Sequence, residues 1–202
     1  MRKSKTDLFT VIGLLLIAAA LFLALRNIYM DRQAGETAAG ALDVLRSEIP
    51  VKENETFREE TPLYEEYEDV DMPQIEVDGS KYIGILSLPT INIELPIKGG
   101  FSYPALTGAP CCYKGSVYTD DIIIAGHNFP SHFAKLKALS QGDRVSFTDG
   151  DGNVFLYEVA ETVQLNGTDV EGMLSGEWDM TLFTCTLSGK SRIAVRLIRL
   201  EK

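Results

Sequence analysis

The chain has 202 residues, enough for one ordinary domain with appendages. Its formal net charge is −10 at pH 7, and its basic residues are dispersed apart from the extreme N-terminus. That excludes nucleic-acid binding, because phosphate contacts need a clustered basic face. Three cysteines (Cys111, Cys112 and Cys185) and two histidines form no Cys-x-x-Cys pair, so neither a structural zinc site nor another metal or cofactor is expected.

In chain order, the first element is an uncharged apolar run from Leu8 to Leu25. Its length is at the lower end of the roughly 17–25 residues that cross a bilayer as a helix. Arg2, Lys3 and Lys5 precede it, so the positive-inside rule puts the N-terminus in the cytoplasm and the remainder outside. A cleaved signal peptide has a shorter apolar core and a small-x-small site. Here Arg26-Asn27-Ile28-Tyr29 follows directly, which favours an uncleaved anchor over residues 1–30 that meets membrane lipid through residues 8–25. No second apolar span is visible.

Residues 31–78 read as a stalk. Gln33–Leu45 is expected to be a short helix with Ala34, Ala38, Ala41, Leu42 and Leu45 as its small or apolar positions. From Lys52 to Asp78, acidic residues crowd a stretch poor in apolar ones, which predicts an extended, solvated segment. Tyr64, Tyr67, Met72 and Ile75 could instead anchor this segment across an active site.

A folded domain is expected over 79–202. Short runs rich in β-branched and aliphatic residues predict strands at Lys81–Leu88, Ile91–Ile97, Ser116–Thr119, Ile122–Ala125, Arg144–Thr148, Val154–Thr162, Met180–Thr184 and Arg192–Leu200. Asp149-Gly150-Asp151-Gly152-Asn153 is a hairpin signal. One helix is predicted at Ser131–Ser140, with Phe133, Leu136 and Leu139 on one stripe. Many short strands and little helix predict an all-β sandwich or barrel. Cys111-Cys112 falls in a predicted loop, where a structural role outweighs a redox one.

Two predicted strands end on reactive side chains. Thr181-Leu182-Phe183-Thr184-Cys185 ends on a thiol, and Ile122-Ile123-Ile124-Ala125-Gly126 leads to His127. A thiolate is the nucleophile of cysteine chemistry, and a nearby imidazole or guanidinium favours that form. His132 is the other histidine, expected on a helix and facing solvent. Arg192 and Arg196 lie four residues apart on one strand face, and periodicity alone does not choose between them.

The blocks Thr181–Cys185, Ala125-Gly126-His127-Asn128 and Arg192 resemble the sortases, cysteine transpeptidases of Gram-positive surfaces. Tyr82–Pro89, Leu95-Pro96-Ile97 and Gly142–Val145 add to the match, in the family's order over roughly residues 80 to 200. The likeness is to small sortases of the class B or D kind. It implies a closed sortase-type β-barrel of about eight strands with one or two short helices, preceded by a transmembrane helix. It selects His127, Cys185 and Arg192 as catalytic, with Thr184 and Asn128 as supporting or substrate-binding groups. It further implies cleavage of a sorting motif of the Leu-Pro-x-Thr-Gly kind in surface proteins, through a thioacyl intermediate. Transfer would then go to an amine of a peptidoglycan precursor or a pilin lysine. A mainly hydrolytic cysteine peptidase and a non-catalytic, membrane-tethered binding module are the alternatives.

Overall fold

The computed structural model describes residues 3–52, 64 and 70–200. It opens with one continuous helix, α1 (Lys3–Glu48). Nine strands follow among the described residues: β1 (Ile75–Val77), β2 (Ser80–Leu88), β3 (Ile93–Lys98), β4 (Cys111–Lys114), β5 (Ile122–Gly126), β6 (Arg144–Asp149), β7 (Val154–Asn166), β8 (Met180–Cys185) and β9 (Ser191–Arg199). Short helices α2 (Tyr103–Leu106) and α3 (Val170–Leu174) interrupt them.

Strands β2 to β9 close an eight-stranded barrel in the order β2-β3-β4-β5-β8-β9-β7-β6, sealed by β2 pairing with β6; β1 is an added edge on β2. Closure removes the unpaired edges that make open sheets sticky. Leu86, Ile97, Ile122, Ile124, Phe147, Tyr157, Met180, Leu182, Val195 and Leu197 fill its interior.

The seal requires a glycine. Gly84 pairs with Asp149 where β2 meets β6. At its φ of 154°, an added Cβ would lie 2.1 Å from the carbonyl oxygen of Thr148.

α1 joins the two helical regions expected separately, because nothing between Leu25 and Gln33 breaks a helix. Its two halves have different surroundings. Residues 8–29 are exposed apart from the half-buried Gly13, with large apolar side chains throughout, and this part of α1 is long and apolar enough to cross a membrane. Ala34, Ala38, Ala41, Leu42 and Leu45 are buried, together with Ile49 just past the helix end. They recur every three to four residues, and most of them pack on Tyr82, Ile85 and Ala109. The helix therefore covers the barrel wall.

Four local expectations are corrected. Ser131–Ser140 is a series of turns with a 3-10 turn at Leu136–Ala138. Its apolar stripe is buried as expected (Phe133, Leu136 and Leu139), but so short a segment gains more from packing than from an α-helical ladder. His132 within it is fully buried rather than solvent-facing. Ser116–Thr119 is a turn, since the Asp121 carboxylate accepts from the Ser116 amide and the Thr119 hydroxyl. Cys111 and Cys112, placed in a loop, instead begin β4. The strand β1 lay unnoticed within the acidic segment.

The described residues of that segment lie away from the rim that bears Cys185. Tyr64 stacks on Tyr118 with ring centroids 4.5 Å apart and lies 5.5 Å from Phe155. Met72 packs on the main core, and Ile75 on the cluster under α1. Tyr67 lies outside the described residues.

Replacing Gly84 by alanine is expected to lower stability by about 1–3 kcal/mol, the usual cost of forcing atoms into a packed site. Denaturant unfolding followed by circular dichroism measures it, and an unchanged midpoint would contradict the close β2–β6 approach.

Candidate active site

Three adjacent strands build one rim. β5 and β8 run parallel, with Gly126 opposite Thr184. β8 and β9 run antiparallel, with Cys185 opposite Arg192. The next position after Gly126 is His127, which brings it level with Cys185. Register thus gathers His127, Cys185 and Arg192 on neighbouring strands, about 5 Å apart from strand to strand.

Alternation sets the direction of Cys185. Met180, Leu182 and Thr184 are buried toward the barrel interior, whereas Phe183 and Cys185 are half-buried on the opposite face. The outer strip below Cys185 is apolar. Phe183 packs with Ala125, Cys111, Leu106 and Phe101, and Tyr113 sits edge-on to both Phe183 (5.7 Å) and Phe101 (5.2 Å). The segment carrying α2 borders this strip on one side and that carrying α3 on the other.

Arg196 holds the second border. It is 3% exposed and donates to the carbonyls of Gly172 and Met173 and to the Thr181 hydroxyl. Burial depresses its pKa, partly offset by Glu161. The two arginines of this strand face therefore have different work: Arg196 is consumed by the α3 loop, while Arg192 stands at the rim. The Arg192 Nη1 donates to the carbonyls of Gly189 (3.0 Å) and Ser191 (3.2 Å), so its guanidinium is folded against the β8–β9 loop.

The loop after β5 is folded tightly back. The Phe133 amide donates to the His127 carbonyl (3.1 Å) and the His132 amide to that of Phe129 (2.9 Å). Gly126 is needed because a Cβ there would meet the Phe133 ring at 2.4 Å; a close approach, rather than an unusual backbone angle, demands it. His127 stacks on Phe129 (4.8 Å), which in turn lies 5.8 Å from His132. Burial lowers the His127 pKa, which favours the neutral imidazole.

Sequence reasoning missed His132. Both its ring nitrogens are buried without a hydrogen bond of normal geometry among the described residues, although Asp31 and then the Ala34 backbone favour the charged form. Burial, reinforced by His127, pushes its pKa down to about 4. Thr184 is buried too, and its hydroxyl has no partner among the described residues. Asn128 is half-buried beside His127. The Cys111 and Cys112 thiols are pushed up to about 11 by burial and donate to the carbonyls of Ala109 and Gly115. Among the described residues, no group of three or more His, Cys, Asp or Glu could hold a metal ion.

The sortase domain family matches residues 86–199, more than half of the chain and all three rim residues. The chain belongs to the sortase family. Sortase D of Bacillus subtilis is 32% identical over 107 residues, covering 50% of this chain and 53% of Sortase D, so the match spans about half the length of that relative. Among solved structures, sortase C1 of Streptococcus agalactiae is 27% identical, covers 63% of this chain and 72% of its own, and superposes with a TM-score of 0.53. Sortase C of Clostridium perfringens, solved with the C-terminal cell wall sorting motif, is 22% identical, covers 60% of this chain and 71% of its own, and has a TM-score of 0.52, which supports the fold.

His132 makes the barrel acid-sensitive. As pH falls below 6.5, the unfolded chain takes up a proton on this residue that the folded chain refuses until about pH 4. Stability should fall by about 1.4 kcal/mol per pH unit across that window from this group. His132→Phe should flatten the slope of unfolding free energy between pH 6.5 and 4; an equal slope in both proteins would remove His132 as the cause.

Proposed function

We propose that this protein is a membrane-anchored cysteine transpeptidase that cleaves a sorting motif of the Leu-Pro-x-Thr-Gly kind and passes the acyl group to an amine. The observation that carries the proposal is the register that sets Cys185 opposite Arg192 with His127 level on the adjoining strand.

With its proton on His127, Cys185 attacks the scissile peptide carbonyl as the thiolate. The C–N bond breaks as His127, now charged, protonates the leaving amine, and a thioester on Cys185 remains. An incoming amine loses its proton to His127 and displaces the thiol, which restores the enzyme. Arg192 swings from the Gly189 carbonyl to hold the substrate backbone and the developing oxyanion, for which its fork of donors is suited. Asn128, half-buried beside His127, supports the histidine, and Thr184, on the inner face of β8, acts only through the packing behind Cys185. The apolar strip around Phe183 and Tyr113 accepts the motif's aliphatic side chains.

The sorting motif bound to the related clostridial sortase C supports this substrate class. The acceptor is an amine of a peptidoglycan precursor or a pilin lysine. The exposed apolar helix from Leu8 supports a single-pass anchor, and Arg2, Lys3 and Lys5 support a cytoplasmic N-terminus with the barrel outside.

The test uses the full-length protein in detergent, because removing α1 would uncover Tyr82 and Ile85. It is mixed with sorting-type peptides, with and without triglycine, and intact masses are recorded. An acyl adduct on Cys185, absent in Cys185→Ala and discharged to a peptide–amine product, is expected. His127→Ala should slow turnover about 10²–10⁴-fold and Arg192→Ala about 10²–10³-fold. Iodoacetamide at neutral pH should modify Cys185 and spare Cys111 and Cys112. An adduct that discharges only to water would replace this reading with a peptidase. No adduct, with an unreactive Cys185, would replace it with a binding module.

A further inference from the structure

Cys185 and Arg192 are held by the β8–β9 ladder, whereas His127 stands just past the end of β5. The loop that carries it fixes its own shape but not its own place. The Phe133 amide donates to the His127 carbonyl, and the His132 and Ala134 amides donate to that of Phe129. A loop closed on itself in this way can swing as a unit about its ends. General acid–base work needs the imidazole held within hydrogen-bond reach of the groups it serves. At the β5 end the Phe133 ring bears on Gly126. The other support comes from α1, a hundred residues earlier in the chain.

Asp31, Ala34, Gly35 and Ala38 lie on one face of α1, at the three- and four-residue spacing of a helical stripe. The Asp31 carboxylate accepts from the Ser131 amide (3.1 Å) and from the Ser131 hydroxyl (2.6 Å), which also lies 3.2 Å from the Asp31 backbone oxygen. Bonds to an ionised carboxylate are roughly twice as strong as neutral ones. Both residues are half-buried, which limits competition from water. Gly35, one turn on, permits the approach, because a Cβ there would stand 3.1 Å from the Ser131 Cβ. Ala38 is buried in the same core cluster as Phe133. Among the described residues, the side-chain hydrogen bonds that reach segment 128–134 from another element are those of Asp31 with Ser131.

Two routes lead from this joint to His127. One is the backbone: Ser131 is two residues from Phe133, whose amide holds the His127 carbonyl. The other runs through rings. His132 is fully buried next to the Ala34 backbone, the Phe129 ring lies 5.8 Å from it, and Phe129 stacks on His127 at 4.8 Å. We infer that Asp31 is a positioning residue for catalysis: its grip on Ser131 sets where His127 stands relative to Cys185. This rests on the proposed transpeptidase reading and adds to it a residue that touches neither substrate nor thiol. Because α1 is one helix from Lys3 to Glu48, the element proposed to cross the membrane also holds the general acid–base. A shift of α1 against the barrel reaches His127 without passing through the apolar strip.

The experiment compares the full-length protein in detergent with Asp31→Ala, Asp31→Asn and Leu42→Ala, using a soluble sorting-type peptide and triglycine. Leu42→Ala loosens the same helix in its cluster with Tyr82 and Ile85 and leaves Asp31 in place. Asp31→Ala should lower kcat and kcat/KM together by about tenfold with KM unchanged, the pattern of a contribution made only in the transition state. Asp31→Asn keeps the accepting oxygen and should restore most of that loss, and Leu42→Ala should keep the parent kcat. An undiminished kcat in Asp31→Ala overturns the inference. So does an equal loss in Leu42→Ala, which would make the effect one of helix packing, or an Asp31→Asn no better than Asp31→Ala. If Asp31→Ala does not fold, Ser131→Ala removes the hydroxyl half of the joint, and an undiminished kcat there overturns the inference instead.

Hydrogen exchange gives a readout that does not depend on turnover. The Phe133 amide should exchange about tenfold faster in Asp31→Ala than in the parent, through easier local opening, and at the parent rate in Leu42→Ala. Equal exchange in all of these proteins overturns the inference even where activity falls. If the parent turns over no peptide, the transpeptidase reading fails, while exchange still decides whether Asp31 holds the His127 loop.

Discussion

The arrangement depends on the ladder that β8 makes with both neighbours. On one edge it pairs in parallel with β5, and on the other it pairs antiparallel with β9. Side-chain direction in a strand has a period of two residues, so a slip of one position against either neighbour would turn Cys185 into the core or carry it past Arg192. The register is held by what fills the inner face. Met180 and Leu182 face inward with Ile122 and Ile124 from β5 and Val195 and Leu197 from β9. The chemistry on the outer face is therefore located by burial on the inner one.

Barrel closure transmits that order. β2 pairs with β3 along its length and with β6 over Gly84–Ser87, and β6 continues through β7 to β9. The loops at the rim are then tied individually. Arg196 fixes the α3 segment, the Phe133 ring lies on Gly126, and Ser131 is bonded to Asp31. Each tie joins a loop that carries or borders the site to an element that is rigid for another reason. Arg192 is the contrast: its bonds run to carbonyls of the loop next to it, Gly189 and Ser191, so its reach changes with that loop alone.

The strand ends bearing Cys185 and His127 were legible because the residues before them are β-branched or aliphatic and the reactive residue stands where the apolar run stops. The choice of Arg192 over Arg196 was not legible from periodicity, since both share a face; burial of Arg196 under α3 is a long-range fact. His132 was misplaced for a similar reason. Its neighbours suit an amphipathic helix, and only the arrival of α1 from nearly a hundred residues away closes the space around it. The Cys111-Cys112-Tyr113 segment looked like a loop because prolines and glycines surround it, yet tertiary pairing with β5 makes it a strand. The division between membrane run and stalk was also a matter of composition, whereas the helix ladder runs through both.

The positions of the three thiols bear on how the protein meets oxidants. Cys111 and Cys112 sit on β4, opposite Ala125 and Ile124 of β5, and Cys185 is on β8, the next strand over. Two strand spacings alone put their backbones at least about 9–10 Å apart, and the register adds two residues along the strand, beyond the reach of a disulfide. With β4 interior to a closed barrel, no small movement brings them together. A sulfenic acid formed on Cys185 thus has no resolving thiol in its own chain, and must be rescued by a small thiol from solution or proceed to the irreversible sulfinic acid.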